Sequence, residues 1–183
     1  MTITIHQPNF VPWYPFFEKM QQADIFILLG NCQYEKSGYQ NRFNFAGRWN
    51  TLSVRKGFEL INSKVYTDPM QDWNRIKVNN PLHRGLLEEL DCFIQPDLYT
   101  TNVSIIKFWA SKLGIKTKIV GDYPTELKST ARLVDLCRTY GATTYLAGQG
   151  GKGYLDESEF EAAGIQVVYQ KIQRHVHTLD ILK

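Results

Sequence analysis

The stretch His6-Gln7-Pro8-Asn9-Phe10-Val11-Pro12-Trp13 gathers an imidazole, two carboxamides and an indole at the start of the chain. An imidazole of ordinary pKa, about 6.5, accepts a proton from an incoming ammonium or returns one to a leaving group. Carboxamides donate and accept together, so Gln7, Asn9, Gln33, Gln40 and Asn41 suit the edges of a base or sugar. Trp13, Tyr34 and Tyr39 offer faces on which a base can stack. Arg42 and Arg132 supply planar forks for phosphate, and Lys36 and Lys152 supply compact point charges. The run Gly148-Gln149-Gly150-Gly151-Lys152-Gly153 and the adjoining Tyr154 complete the set, because a glycine-rich turn can aim backbone N–H groups at an anion. His6, Gln7 and Arg42 are therefore expected to act on the reacting groups, and the others to bind substrate.

The glycine run matches neither the Walker pattern nor the dinucleotide fingerprint at its proper distance. No Ser–His–Asp order stands out, and Cys32, Cys92 and Cys137 share no metal-type spacing, so neither metal nor cofactor is expected. Cys137 has helical spacing and reads as core. His83 falls in a helical stretch, while His175 and His177 read as surface residues of an extended tail. Arg132 has a competing use, an ion pair with Asp135 on its own helix.

The elements that must position these groups follow from hydrophobic patterning. Strands are expected near 2–5, 24–29, 115–120, 143–147 and 165–169, from β-branched and apolar runs bounded by Gly, Asn or Asp. Helices alternate with them: one around Phe16–Met20, a helical stretch from Tyr66 to Leu90 broken at Asn80-Pro81, and one over 103–113 capped by Thr101 or Asn102. Two more run from Ser129 or Thr130 to Tyr140 and from Glu157 to Ala163. Residues 42–54 read as a β-hairpin turning at Ala46-Gly47-Arg48. The expected fold is α/β, a mainly parallel Rossmann-like sheet with flanking helices and an inserted hairpin, in one domain over 1–183 with a short tail from 171. Such a sheet presents functional groups at the carboxyl ends of its strands, which is where His6 and Gly148 fall. The N-terminal turn, the 33–42 tract and the glycine run are accordingly expected to share one pocket.

With 183 residues, 43% hydrophobic and 13% aromatic, the composition is that of a folded domain. A net charge of +3 permits contact with phosphates without demanding it. No apolar run approaches transmembrane length and no signal-like start appears, so a cytoplasmic protein without membrane partners is expected.

Several of these blocks together resemble the WbqC-like family of small bacterial and phage proteins. They are His6 to Trp13, Asp24 before the second strand, Gln33-Tyr34-Glu35-Lys36 through Gln40-Asn41-Arg42, Arg132 to Cys137, and Tyr145-Leu146-Ala147-Gly148 through Gly153-Tyr154-Leu155-Asp156. The family usually carries an acidic residue where Asn31 stands. The resemblance implies an enzyme of surface-polysaccharide clusters or of phage pathways that hypermodify thymine in DNA. In the latter, the amine of a small, glycine-like amino acid is joined to an activated, pyrophosphate-bearing pyrimidine, in host cytoplasm. The partners so implied are that amino acid and a DNA or nucleotide-linked substrate carrying phosphate. A sugar-nucleotide modifying enzyme and a non-catalytic nucleotide- or DNA-binding module are the alternative readings.

Overall fold

The structure is a computed structural model that describes residues 1–182; Lys183, the end of the expected tail, lies outside the described residues. Five short strands, β1 (Thr2–His6), β2 (Ile25–Leu28), β5 (Lys118–Gly121), β6 (Thr144–Ala147) and β7 (Gln166–Tyr169), form one parallel sheet in the order β5-β2-β1-β6-β7. Ile3 faces Ile25 across β1 and β2, and Tyr145 across β1 and β6. A separate antiparallel hairpin comprises β3 (Arg42–Phe45) and β4 (Arg48–Thr51), with Ala46 and Gly47 at positive φ in its two-residue turn.

Alternation along the strands divides the interior into two cores. Phe26 and Leu28 face α1 (Tyr14–Gln21) and α4 (Leu98–Lys112), meeting Phe16, Phe17, Ile105 and Trp109. Ile3, Ile5, Ile25 and Ile27 face α5 (Ser129–Thr139) and α6 (Glu157–Ala162), meeting Leu133, Leu136, Cys137 and Phe160. The sheet is thus doubly wound. The chain passes from β1 outward to β2 and β5, then returns to the other side of β1 for β6 and β7. The crossover from β2 to β5 carries the hairpin, α2 (Pro69–Asn79) and α3 (Arg84–Glu88) before α4. None of the described helices is long and apolar enough to cross a membrane.

Several boundaries differ from expectation, each for a local reason. Helix α4 begins at Leu98, capped by the Asp97 carboxylate on Thr100 N–H, because Thr101 and Asn102 are buried and bonded elsewhere. Helix α2 begins at Pro69 under an Asp68 cap, and at the break Asn80 spends its carboxamide on Asn50 and Ile76. Helix α5 begins at Ser129, itself at φ 50°, and the Thr130 hydroxyl accepts from Asp156 N–H instead of capping. Strand β5 starts at Lys118, because Gly114 (φ 68°) turns the chain and Ile115 N–H closes onto Ala110. The tail is not simply surface: it ends in α7 (Thr178–Ile181), Leu179 is fully buried, and Thr178 donates to the Pro12 carbonyl.

One buried carboxamide ties the N-terminal turn to the rest. Asn102, with no exposed surface, donates from Nδ2 to the carbonyls of Pro8 (2.7 Å) and Gln40 (2.6 Å) and accepts from Tyr66 Oη (3.1 Å). Asn102→Ala leaves all three partner groups without this carboxamide. A loss of roughly 3–5 kcal/mol in unfolding free energy is expected by urea denaturation, from about 1–3 kcal/mol per unsatisfied buried group. A loss under about 1 kcal/mol would remove Asn102 as the organising contact.

Candidate functional site

Beyond the carboxyl ends of β1 and β6, where the winding reverses, lies a cleft of about 510 Å³. This is the topological switch point, the usual ligand crevice of an open parallel sheet. His6 and Gln7 enter it from β1, Gly148, Gly150 and Gly151 from the turn after β6, Arg132 from α5, Lys19 from α1, and Cys32, Glu35 and Tyr154 from flanking loops.

Lys19 sets the electrostatics. It is only 2% exposed, donates from Nζ to the Ile5 carbonyl at 3.1 Å, and makes no ion pair among the described residues. A methyl group placed on Gly148 would sit 3.9 Å from Nζ, so the ammonium borders the glycine turn. Burial without a carboxylate disfavours the charged form and lowers the Lys19 pKa to about 7. His6 is lowered as well, to about 3, first by burial and then by the Lys19 charge. Its Nδ1 lies 2.9 Å from the Gln7 carbonyl, an acceptor, so in the neutral ring Nδ1 carries the hydrogen and Nε2 the lone pair. The imidazole expected to titrate near 6.5 is instead neutral throughout the physiological range, and the group that titrates there is Lys19.

Arg132 pairs with Asp122, not with Asp135, which accepts from Tyr123. Its Nη1 donates to the Asn31 carbonyl at 2.7 Å, while Nε is buried without a partner among the described residues. Asp122 also accepts from the N–H groups of Gly30 and Asn31. Gly30 is required there, because a Cβ would meet the Tyr99 ring at 2.6 Å. The glycine run is a 3₁₀ turn over Gln149–Gly153 rather than a helix start. A Cβ on Gly150 would project into open space, whereas one on Gly151 would meet Leu155 at 2.8 Å. Burial raises the Cys32 thiol to about 11 and Cys137 to about 12, so neither offers a thiolate near neutrality.

The sequence-expected site divides. His6, Gln7, Arg132, Gly148, Gly150, Gly151 and Tyr154 come together in this cleft. Asn9 and Trp13 line a second cleft that shares His6 with the first. The 33–42 tract stays outside both, apart from Glu35 and Tyr39. Gln40 is buried against Gln7, Asn41 bonds Leu52 and Tyr34, and Gln33 bonds Glu59. Arg42, expected to act on the reacting groups, donates to the Ser37 and Gly38 carbonyls and stacks 4.2 Å from the Trp49 ring centre. It braces the loop. Lys36 is exposed, and Lys152 lies over Tyr169. Sequence reading missed Lys19, Cys32, Glu35 and Ser129. A signal for Lys19 was present, since it stands three residues after Phe16 and shares that residue's sheet-facing side.

A family model described as the WbqC-like protein family matches residues 7–178, and the chain belongs to that family. An uncharacterized protein of Mycobacterium tuberculosis, Rv1507c, is 27% identical over 186 residues, covering 91% of this chain and 80% of its own. No solved structure matches.

The buried amine has a stability signature. The unfolded chain holds the Lys19 proton up to about pH 10.5, the folded chain only to about 7, so the penalty is full below 7 and fades as pH rises to 10.5. Lys19→Met removes it. The variant is expected to gain stability over wild type by a few kcal/mol at pH 6 and by much less at pH 10, measured by urea denaturation. A difference independent of pH would contradict the lowered pKa.

Proposed function

We propose that the protein is a transferase that joins the amine of a small amino acid to an activated acceptor carrying phosphate. The family resemblance favours a pyrophosphate-bearing pyrimidine of DNA as that acceptor. The observation that carries the reading is the unpaired Lys19 amine beside the glycine turn and His6 at the switch point. An amino acid's ammonium is not a nucleophile until it loses a proton, and an amine of pKa about 7 is half in its basic form at neutral pH.

In this reading neutral Lys19 takes one proton from the donor ammonium. The freed amine lone pair attacks the activated acceptor carbon, the carbon–oxygen bond breaks, and pyrophosphate departs with the bonding electrons. The second amine proton passes to solvent. Lys19, now an ammonium, neutralises charge on the departing oxygens, a preorganised stabilisation in a low-dielectric cleft. The open turn at Gly150 adds backbone donors toward the same anion, and Arg132 adds its positive charge at the cleft wall. His6 accepts an N–H of the incoming amine at Nε2 and orients it without itself titrating. Gln7, held by Gln40 and Cys32, fixes that end of the cleft.

The test mixes glycine with DNA carrying pyrophosphorylated hydroxymethyluracil and follows modified nucleosides by mass spectrometry. Wild type is expected to form the amino-acid adduct, with an ascending limb near pH 7 in kcat/KM. Lys19→Met should lose at least about a hundredfold and that limb with it, the range of a general base. His6→Gln, which still accepts a hydrogen bond, should lose under about tenfold and keep the limb. A wild type inert with every amino acid but active on a nucleotide-linked sugar would transfer the assignment to polysaccharide assembly.

A further inference from the structure

The second cleft, about 470 Å³, opens on the far side of His6 and differs in chemistry from the first. It falls within the size range of small-molecule sites, about 300–1,000 Å³. Its walls are Phe10, Val11, Pro12 and Phe43, and Trp13 (43% exposed) and Tyr39 (53% exposed) also line it. Among the described residues no carboxylate, lysine or arginine lines it. Its polar groups are neutral: His6, the carboxamides of Asn9 and Asn44, and His177, whose pKa burial lowers to about 4.

Three features indicate that this space is built rather than left over. Asn9 is only 8% exposed, yet its carboxamide makes no hydrogen bond to any described residue. Its donors and acceptor are therefore free on the cleft wall, where the polar edge of a ligand can pair with them. Val11 is held at φ 46°, a conformation that a β-branched residue rarely adopts and that concentrates at ligand clamps. The walls are braced from both ends of the chain: Phe10 N–H bonds the Tyr39 carbonyl at 2.8 Å, Thr178 bonds the Pro12 carbonyl at 2.7 Å, and Tyr14 N–H bonds Val176.

From this cleft we infer a subsite for a planar, uncharged heteroaromatic ring of the pyrimidine nucleobase class. The ring stacks between Trp13 and Tyr39, is read on its polar edge by Asn9, and is delivered to His6. Aromatic faces recognise a flat ring, an unpaired carboxamide matches its paired donor and acceptor edge, and the lack of charge suits a neutral base. The assignment rests on the transferase reading and extends it. With the ring here, a phosphate on its exocyclic carbon reaches past His6 into the cleft of Lys19 and the glycine turn. A base in a duplex must leave its stack to enter so enclosed a space, which restricts the acceptor to a flipped or single-stranded nucleotide.

The test separates the subsite from the chemistry by using a probe without phosphate or amine. Thymidine is titrated against the full chain, with binding followed by ligand-observed NMR. Wild type is expected to bind, and Trp13→Ala and Asn9→Ala each to weaken binding by at least about fivefold, the low end for a lost stacking partner or an edge hydrogen bond. Circular dichroism and urea midpoints establish that the variants fold; Trp13 is exposed enough that its removal opens no core cavity. Thymidine binding with these sensitivities but no amino-acid transfer would overturn the chemistry and leave the subsite standing. Transfer whose KM is unchanged by both substitutions, or thymidine binding indifferent to them, would overturn the subsite.

Discussion

The N-terminal turn leaves the sheet with a buried Pro8 carbonyl that no ladder can satisfy, and the Asn102 carboxamide is what satisfies it. Its two N–H bonds reach Pro8 and Gln40, segments far apart in sequence, while its oxygen is taken by Tyr66. Only an amide fits this position. A carboxylate would set lone pairs against two carbonyls, and an aliphatic residue would leave both carbonyls buried without this donor. Because Pro8 follows His6 and Gln7 directly, the same contact fixes where β1 releases its functional groups. Gln40 transmits it onward, packing its own amide against Gln7.

Charge is distributed unevenly around that turn. Arg132 is matched by Asp122, which also collects the N–H groups of Gly30 and Asn31, so this cluster acts as a rigid, nearly neutral joint between β2, β5 and α5. Lys19 has no such match, and its partners are a carbonyl and a ring face, Phe26 at 5.8 Å. A buried amine that opposes folding persists where function uses it. Its influence extends to His6, which stays neutral first because it is buried and then because this cation lies nearby. Burial thus lowers the pKa of both nitrogen bases in the cleft, and the Lys19 charge adds to the effect on His6.

The parallel sheet was legible because short β-branched runs such as Ile3–Ile5 and Ile25–Leu28 alternate with helical text, and strand carboxyl ends then locate His6 and Gly148. The hairpin was legible for the same local reasons. What sequence could not show was the target of each polar side chain. Arg42 looks like a phosphate ligand until the Ser37 and Gly38 carbonyls are found in its fork, and Asn41 looks like a base reader until Leu52 and Tyr34 occupy it. Lys19 went unnoticed because α1 is buried along Pro15–Met20, which amphipathic patterning does not announce. Sheet and α4 bury one side, and the far end of the chain covers another: Gln170 bonds the Pro15 carbonyl and Gln173 N–H bonds Glu18. The tail read as surface is thus the lid on the helix that supplies the amine.

Asn31 shows how the same joint fixes the identity of a single residue. Its Nδ2 donates to Asp122 at 2.9 Å and its Oδ1 accepts from Asn62 at 2.9 Å, so the side chain uses both halves of its amide. The family resemblance places an acidic residue here, yet in this environment a carboxylate would lie against Asp122, whose side chain is almost wholly buried. Two carboxylates at hydrogen-bond distance cannot both ionise cheaply, and one would be forced to hold a proton or draw Arg132 toward itself. Asparagine leaves the cluster with one anion and one cation. The guanidinium then stays oriented by Asp122 and the Asn31 carbonyl, with Nε unbonded in the residue that lines the cleft. The departure at position 31 is therefore consistent with the site's electrostatics: it keeps Arg132 paired with Asp122 where it lines the cleft.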